Sequence, residues 1–281
     1  MKREFIIDST LAVSTETAER DNITIIPLNI VVNNETYRDL YEMPGDKFYQ
    51  AIEQGAETTT SQPAAGEFLE LYEKAKAKGV EEIFVFTLSE GLSGTYQSAT
   101  IAKGMVEGVD VYVIDTTITS AVVQLIVKDL TEMTDKTATE IVEYAENAFK
   151  NTEFFAYIGD FTRLKKGGRL SASQAAIGTL LKINLIFNLE GGVVNVFSKE
   201  RKASNAIKRI MKEIADKKAS GLKLNKVVFL ETNRKEFREK LEVAYNETFK
   251  DEAFQAETYI LSPVLGSHTG AEVAGIVIEW K

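Results

Sequence analysis

The stretch EEIFVFTLSEGLSGTYQSA (residues 81–99) contains the change of pattern that decides the fold. Its first part, EEIFVFTL (81–88), is rich in apolar, β-branched and aromatic residues, which predicts a buried strand. From Ser93 to residue 105 there is no proline, and apolar side chains recur along one helical face: Tyr96, Ala99, Ala102 and Met105. The chain is therefore predicted to leave a strand, turn through Gly91 and Gly94, and enter a helix.

The turn places hydroxyl groups at the start of that predicted helix. Ser93, Gly94 and Thr95 would lie where free backbone N–H groups and the helix dipole favour an anion. The same residues also fit an ordinary N-cap, which needs no ligand. These residues alone leave both interpretations open.

The remainder of the first half alternates strand and helix. Strands are predicted at 4–8, 23–32 and 109–115, and helices at 45–55 and 65–79. This order is typical of a mostly parallel sheet wrapped by helices. Ligands of such sheets bind beyond the carboxyl ends of the strands, where residues 8–10 (DST), Ser93 and residues 115–119 should lie.

The second half of the chain has a different pattern. Strands are predicted at 153–159, 226–232, 253–261 and 273–280, a hairpin at 182–197 turning at Gly191 and Gly192, and helices at 203–218 and around Phe237 to Tyr245. This order predicts an α+β domain with antiparallel strands. We therefore predict an α/β protein of two domains, 1–152 and 153–281, with a ligand between them.

The composition excludes several classes of function. A net charge of −9 argues against nucleic acid and anionic membrane surfaces, because both require a basic face. The absence of cysteine excludes disulfides, thiol catalysis and Cys-ligated zinc. The N-terminus does not resemble a signal peptide, and the apolar stretch 175–189 is interrupted by polar residues. We expect a cytoplasmic protein without stable membrane insertion, monomeric and without cofactor or metal.

A second run of hydroxyl groups occurs in TTTSQPA (58–64). Hydroxyl side chains followed by Pro63 are typical of a helix N-terminus, so Thr60 and Ser61 can be read as caps. A second such turn behind the same kind of sheet also predicts that these hydroxyls meet Ser93 at one site.

The second half offers three further polar candidates. GGRLS (167–171) places Arg169 in a basic loop, and LSPVLGSHTGAEVAG (261–275) places the single histidine, His268, in a glycine-rich loop. Arg201 follows the predicted hairpin. A hydrogen-bonded structural histidine and a solvated surface arginine are the simpler interpretations of the last two.

These residues permit three functions. A serine hydrolase would use Ser93 as nucleophile and His268 as base, but Gly91 and Gly94 do not form the Gly-x-Ser-x-Gly elbow, and no carboxylate partner is evident. A nucleotide or phosphate-transfer enzyme would need a known phosphate-binding loop. Neither the G-x-x-x-x-G-K-[ST] motif nor the G-x-G-x-x-G motif is present in the sequence. The third function is binding of a small carboxylate or other anion, because hydroxyl and amide donors stabilise a buried charged group.

Five segments, in this order, resemble the DegV family of bacterial fatty-acid-binding proteins: FIIDST (5–10), TTTSQPA (58–64), LSGTYQSA (92–99), LKKGGRLS with the following AAIGTLLKI (164–183), and SPVLGSHTG (262–270). The resemblance implies two α/β-type domains around a buried long-chain fatty acid. It also implies a partner fatty-acid kinase that phosphorylates the bound carboxylate to an acyl phosphate for phospholipid synthesis. The chain itself would then be a carrier and not an enzyme.

Residue by residue, the resemblance places the carboxylate against hydroxyl groups and the Gly94 amide. It places Arg201 and His268 beside the head group, for kinase docking or for holding the acyl phosphate, while Arg169 is a weaker candidate that ties two loops together. The predicted ligand-binding set is Thr60, Ser61, Ser93, Gly94, Thr95, Arg201 and His268. A sixteen-carbon chain buries about fifteen carbons, roughly 12 kcal/mol of gross transfer free energy, which favours a buried tunnel. Residues 175–187 are candidates for its wall.

Three positions depart from the family pattern. Ala64 stands where many relatives carry a hydroxyl, and Val122 and Gln124 lie in a stretch that is usually glycine-rich. Glu272 replaces a Gly-Pro-Gly element and adds a negative charge near His268. These departures predict a reshaped pocket and altered kinase engagement, with the hydroxyl cluster retained.

Overall fold

A computed structural model describes residues 1–159, 161–170, 184–232, 235–250 and 256–281. Its strands are β1 (Arg3–Asp8), β2 (Ile23–Ile26), β3 (Asn29–Val32), β4 (Glu35–Arg38), β5 (Thr58–Ser61), β6 (Glu82–Thr87), β7 (Asp110–Asp115), β8 (Thr152–Ile158), β9 (Asn184–Glu190), β10 (Val193–Glu200), β11 (Leu224–Glu231), β12 (Glu257–Ile260) and β13 (Val273–Trp280). Its helices are α1 (Thr15–Arg20), α2 (Gly45–Glu53), α3 (Ala65–Ala77), α4 (Thr95–Lys103), α5 (Val122–Thr131), α6 (Ala138–Lys150), α7 (Thr162–Lys166), α8 (Ala203–Ala219), α9 (Lys235–Thr248) and α10 (Pro263–Thr269).

The first half contains the predicted parallel sheet, with strand order β2-β1-β6-β7. Strand β6 is buried along its whole length, which explains its nearly continuous apolar sequence. The turn after β6 leads into α4, so the strand–turn–helix prediction for residues 81–99 is confirmed. Met105 lies beyond that helix and is exposed, so the predicted apolar face is shorter than the sequence indicated.

The predicted single strand at 23–32 was wrong. The chain forms β2 in the parallel sheet and then β3 in a separate antiparallel sheet of order β4-β3-β5. Pro27 lies between them; it has no N–H to donate to a strand ladder, which favours the break. The interpretation of residues 58–61 as helix caps was also wrong, because they form strand β5, paired with β3.

The second half contains a six-stranded sheet of order β10-β9-β8-β13-β11-β12, antiparallel except for β11 and β12. Helices α8 and α9 cover one face with apolar stripes at helical spacing, such as Ile210 and Ile214 against Phe229 and Leu241. The α/β fold with a parallel sheet and a separate antiparallel sheet is confirmed. Of the predicted strand at 253–261, β12 is described, and residues 251–255 lie outside the described residues.

The two halves share one apolar core. Val123 and Val127 of α5 belong to the same buried cluster as Val228 and Val277 of the antiparallel sheet. An ion pair between Lys226 of β11 and Asp129 of α5 also crosses between them. The domain boundary at 152/153 remains a prediction. Among the described helices, none combines the length and apolar character needed to cross a bilayer.

Candidate ligand-binding site

An apolar cavity lies between the parallel sheet and the antiparallel sheet. The space between its walls, with the open mouth included, is about 790 Å³. Its apolar wall consists of Leu28, Leu88, Leu92, Phe154, Ala156, Ile158, Leu164, Phe187, Leu189, Val194, Leu261, Val264, Leu265 and Val273. Alternate residues of β8 and β9 face the cavity, as the two-residue period of a strand requires.

Six polar side chains lie on the same cavity wall. They are Thr60, Ser93, Thr119, Arg169, His268 and Thr269. Five loops and short elements that are far apart in the chain therefore contribute polar groups to one apolar slot. None of the six is a carboxylate, so within the described residues the slot carries positive and neutral polar groups only.

His268 lies on helix α10, and its prediction as part of a glycine-rich loop was wrong. Pro263 occupies the first turn and the Ser262 side chain caps the helix, while Gly270, at φ 81°, ends it. The His268 imidazole shares a hydrogen bond of 2.8 Å between Nε2 and Thr60 Oγ1. Burial, with the nearby Arg169 charge, lowers the pKa of His268 to about 4, so the ring is neutral at pH 7.

Ser93 lies in the turn before α4. Its hydroxyl is hydrogen-bonded to that of Thr95, 2.9 Å away, and Thr95 is fully buried. Gly94 is the N-cap of α4, and a Cβ there would lie 2.5 Å from the Gln62 side chain. This contact explains why glycine follows Ser93: the segment at 58–64 packs directly on the turn. The segment at 58–64 therefore meets the Ser93 turn through Gln62, whereas the predicted meeting of the Thr60 and Ser61 hydroxyls with Ser93 at a bound ligand stays a prediction.

Arg169 is placed more centrally than the sequence suggested. Its Nε donates to the carbonyl of Leu92 at 3.2 Å and its Nη1 to that of Gly167, which ties two loops together as predicted. No carboxylate of the described residues lies within 4 Å of its guanidinium. Residues 164–166, which precede the glycines of this loop, form the last part of helix α7.

A second, more open pocket adjoins the mouth of the cavity. It shares Thr60, Arg169 and His268 with the cavity, and adds the cationic side chains of Arg163 and Lys166. The polar end of the slot therefore borders a solvent-accessible surface that carries positive charge.

Four of the seven predicted site residues do not line the cavity. Ser61 is exposed, because it follows Thr60 on β5 and points to the opposite face; its hydroxyl accepts from Asn29 at 3.4 Å. Arg201 is exposed beyond the far end of β10. Gly94 and Thr95 lie behind Ser93 and are not among the lining residues either.

The three departures from the family pattern lie outside the cavity. The Gln124 carboxamide is buried between the Val13 amide and the Asp21 carboxylate, and Val122 is fully buried in the core, so neither reshapes the slot. Glu272 packs closely on Gly159. The Ala64 amide donates to the Glu67 carboxylate.

The predicted tunnel wall at 175–187 is described only in part. Residues 175–183 lie outside the described residues. Phe187 lines the cavity, whereas Leu185 belongs to the core. Phe154 lines the slot although no sequence motif indicated it. Thr119 and Thr269 also line it; they belong to segments that the sequence analysis singled out, but neither was predicted as a ligand contact. The alternation of FFAYI on β8 was the available signal for Phe154.

The geometry does not assemble a hydrolase. In the part of the chain that the structure describes, the hydrogen-bond partner of His268 is Thr60, and that of the Ser93 hydroxyl is Thr95. Among the described residues, no carboxylate hydrogen-bonds to the imidazole to orient it. A Ser-His-acid triad requires both contacts.

Comparison with known proteins agrees with this architecture. The model of the DegV family, described as uncharacterised proteins, matches residues 2–281. The chain belongs to the DegV family. It is 32% identical to a DegV domain-containing protein of Staphylococcus aureus, covering 100% of this chain and 99% of the relative. It is also 32% identical to protein DegV of Bacillus subtilis, over 96% of each chain.

Solved DegV structures have the same fold. The structure of DegV from Bacillus subtilis, described as a fatty acid binding protein, superposes with a TM-score of 0.88 at 30% identity and 100% coverage of both chains. A DegV lipid binding protein from Thermotoga maritima gives a TM-score of 0.86 at 28% identity, covering 100% of this chain and 99% of that one.

Proposed function

We propose that this DegV-family chain binds a long-chain fatty acid in the cavity, with the carboxylate at its polar end. The observation that carries the proposal is that Thr60, Ser93, Arg169 and His268 line one apolar slot, and that three of them also border the adjoining open pocket. Solved relatives described as fatty-acid-binding proteins support it.

The apolar wall provides the affinity in this proposal. Burying about fifteen carbons at about 0.8 kcal/mol each gives roughly 12 kcal/mol of gross transfer free energy. Ordering the acyl chain and lost rigid-body freedom reduce the net value considerably, and a head group alone would not overcome them.

The polar end provides the orientation. The hydroxyls of Thr60 and Ser93 donate to the carboxylate, and charge-assisted hydrogen bonds of this kind are the stronger ones. Arg169 supplies the counter-charge, because it contacts only backbone carbonyls among the described residues. A neutral His268 can donate one N–H, and a bound carboxylate would raise the pKa of its ring.

We further propose that the carboxylate is presented to a partner fatty-acid kinase and converted there to an acyl phosphate. The open pocket beside the mouth gives a phosphoryl donor access, and Arg163 and Lys166 would compensate its negative charge. Arg201, exposed beside Lys199 and Lys202, is then a docking residue and not a ligand contact.

Mass spectrometry of the denatured, freshly purified protein tests the binding proposal. We expect a C14–C18 fatty acid in near-stoichiometric amount, and palmitate titration of the delipidated protein should be saturable. A protein that purifies without lipid and gives no heat with palmitate would contradict the proposal. Ester hydrolysis by the isolated protein would favour the hydrolase instead.

The kinase step needs a separate assay with a purified fatty-acid kinase and ATP. Arg201→Ala should lower acyl phosphate formation at least tenfold while palmitate affinity stays unchanged. The matched control is Arg209→Ala, an exposed arginine on α8. Full turnover by the Arg201 variant would remove Arg201 from the docking surface.

A further inference from the structure

Two buried carboxylates lie behind the polar end of the cavity and have no role in the proposed ligand contacts. Asp8 ends β1 and Asp39 follows β4, and both are fully buried. The groups that hydrogen-bond to them are hydroxyls and backbone amides, not cations. Buried carboxylates without a cation are costly, so their retention calls for a specific explanation.

The partners of Asp39 belong to elements that hold the cavity. Its Oδ2 accepts from the Ser9 hydroxyl at 2.7 Å, and Ser9 Oγ in turn accepts from the amide of Leu28, a lining residue. Its Oδ1 accepts from the backbone amide of Val264 at 3.4 Å, and the Ser262 hydroxyl donates to the same carboxyl group. Both of these residues lie at the start of α10.

Helix α10 carries Val264, Leu265, His268 and Thr269 to the cavity. With seven residues it has little stability of its own, so its position depends on its contacts. Gly266 packs against the rings of Phe48 and Tyr49, which limits sliding. Asp39 holds its N-terminal end, one helical turn before the imidazole, together with the Tyr49 hydroxyl, which donates to the Leu261 carbonyl at 2.9 Å.

We propose that Asp39 is a positioning residue, which sets α10 and thereby holds His268 against Thr60 at the mouth of the cavity. The inference rests on the proposed function for its effect on lipid binding, but not for its effect on the imidazole. An ionised carboxylate accepts from Ser9, Val264 and Ser262 together. Burial, with the neighbouring Asp8 charge, raises the pKa of Asp39 to about 7, so the ionised form is present at pH 8.

The amide of an Asp39→Asn variant has one acceptor oxygen and one donor nitrogen. If the oxygen faces Ser9, the nitrogen opposes the N–H of Val264, and α10 loses its anchor. If the side chain is flipped, the Ser9 contact is lost instead. Either orientation leaves a buried polar group unpaired.

The single histidine makes the test direct, because the protein gives one set of imidazole NMR signals. In Asp39→Asn at pH 8 we expect these signals to shift, and the His268 titration midpoint to rise from about 4 towards 6.5 as the ring becomes less buried. Palmitate affinity should fall about tenfold. Asp21→Asn is the matched control: Asp21 is also buried, but it accepts from Gln124 on α5.

Wild-type signals and midpoint in a folded Asp39→Asn variant would overturn the inference. If that variant does not fold, Ser9→Ala, which removes one bond and leaves the carboxylate, should shift the imidazole signals in the same direction. Unfolding of both variants beside a folded Asp21→Asn would overturn the positioning role in favour of a general core role. A wild-type protein that does not bind palmitate would end the proposed function, while the imidazole measurement would still decide the role of Asp39.

Discussion

The two ends of the cavity are built in different ways. The polar end is assembled from turns and short elements, held by hydrogen bonds such as those of Thr60 with His268 and Arg169 with Leu92. Half of the fourteen apolar residues that line the slot lie on the regular strands β8, β9, β10 and β13, and alternate side chains of β8 and β9 face inward. The difference separates two tasks: long strands give a continuous apolar surface for affinity, and short turns give individually placed donors for orientation.

Filling the apolar slot with a larger side chain should have the largest effect on palmitate affinity. Val194→Trp places a large ring where Val194 of β10 lines the cavity. Excluding about four methylenes removes roughly 3 kcal/mol, so palmitate affinity should fall about a hundredfold by calorimetry. Val196→Trp, on the same strand and half-buried outside the cavity, is the matched control. Equal losses in both variants would show a fold defect and not a blocked slot.

Removing one donor at the polar end should have a smaller effect. Ser93→Ala deletes one hydrogen bond to a charged head group, worth roughly 1.5–3 kcal/mol, so affinity should fall about 10- to 100-fold. Ser61→Ala removes a hydroxyl that faces away from the cavity and should bind palmitate like the wild type. If the Ser61 variant is the weaker binder, the head group lies on the opposite face of β5.

A contact at the polar end should also contribute to the free energy of unfolding of the ligand-free protein. Thr60→Val removes the 2.8 Å hydrogen bond to His268 and should lower the free energy of unfolding by about 1 kcal/mol in urea titrations. Thr59→Val changes the exposed neighbour on the same strand and should have almost no effect. An unchanged Thr60 variant would mean that the contact adds nothing without ligand.

A separate effect is expected on the pH dependence of stability. Burial lowers the pKa of His268 to about 4, so between pH 4 and 6.5 the unfolded chain binds a proton that the folded chain does not. The stability from this group is present above pH 6.5 and is lost as the pH falls through this range. His268→Gln should therefore flatten the dependence.

Asp39 provides a control of opposite sign. Its raised pKa, about 7, makes the folded chain bind the extra proton, so its contribution is present below pH 3.8 and is lost as the pH rises through 7. Asp39→Asn should therefore make the unfolding free energy increase more steeply with pH over 4–7. Chemical denaturation at several pH values measures both variants, and equal slopes would contradict the two pKa shifts.

The sequence predicted the regular elements because their patterns are local. Strand β6 is a nearly continuous apolar run, and the stripe of α8 repeats at helical spacing, so each pattern needs no tertiary information. The turn at Ser93 was predicted from Gly91 and Gly94, which lie between strand β6 and helix α4. The β3–β5 pairing could not be predicted from residues 58–61, since a run of threonines fits both a strand and a helix start.

Of the seven predicted contact residues, Thr60, Ser93 and His268 line the cavity. Thr60 and Ser61 differ by one position, and which of them faces the cavity depends on strand register, which no motif encodes. The central position of Arg169 was not predicted. Its hydrogen bonds to backbone carbonyls, without a carboxylate partner among the described residues, depend on the tertiary structure. Asp39 gave no signal, since an aspartate after a strand is usually solvated.

The contact of α10 with α2 has a consequence for cutting the chain. The Tyr49 hydroxyl donates to the carbonyl of Leu261 at 2.9 Å, and Gly266 leaves no room for a methyl group against the ring. A fragment ending at residue 152 would expose the Tyr49 ring. A fragment starting at residue 153 would lose the surface of α2 on which helix α10, with His268, packs. Neither piece should be stable alone, and calorimetry of the intact chain should record a single melting transition.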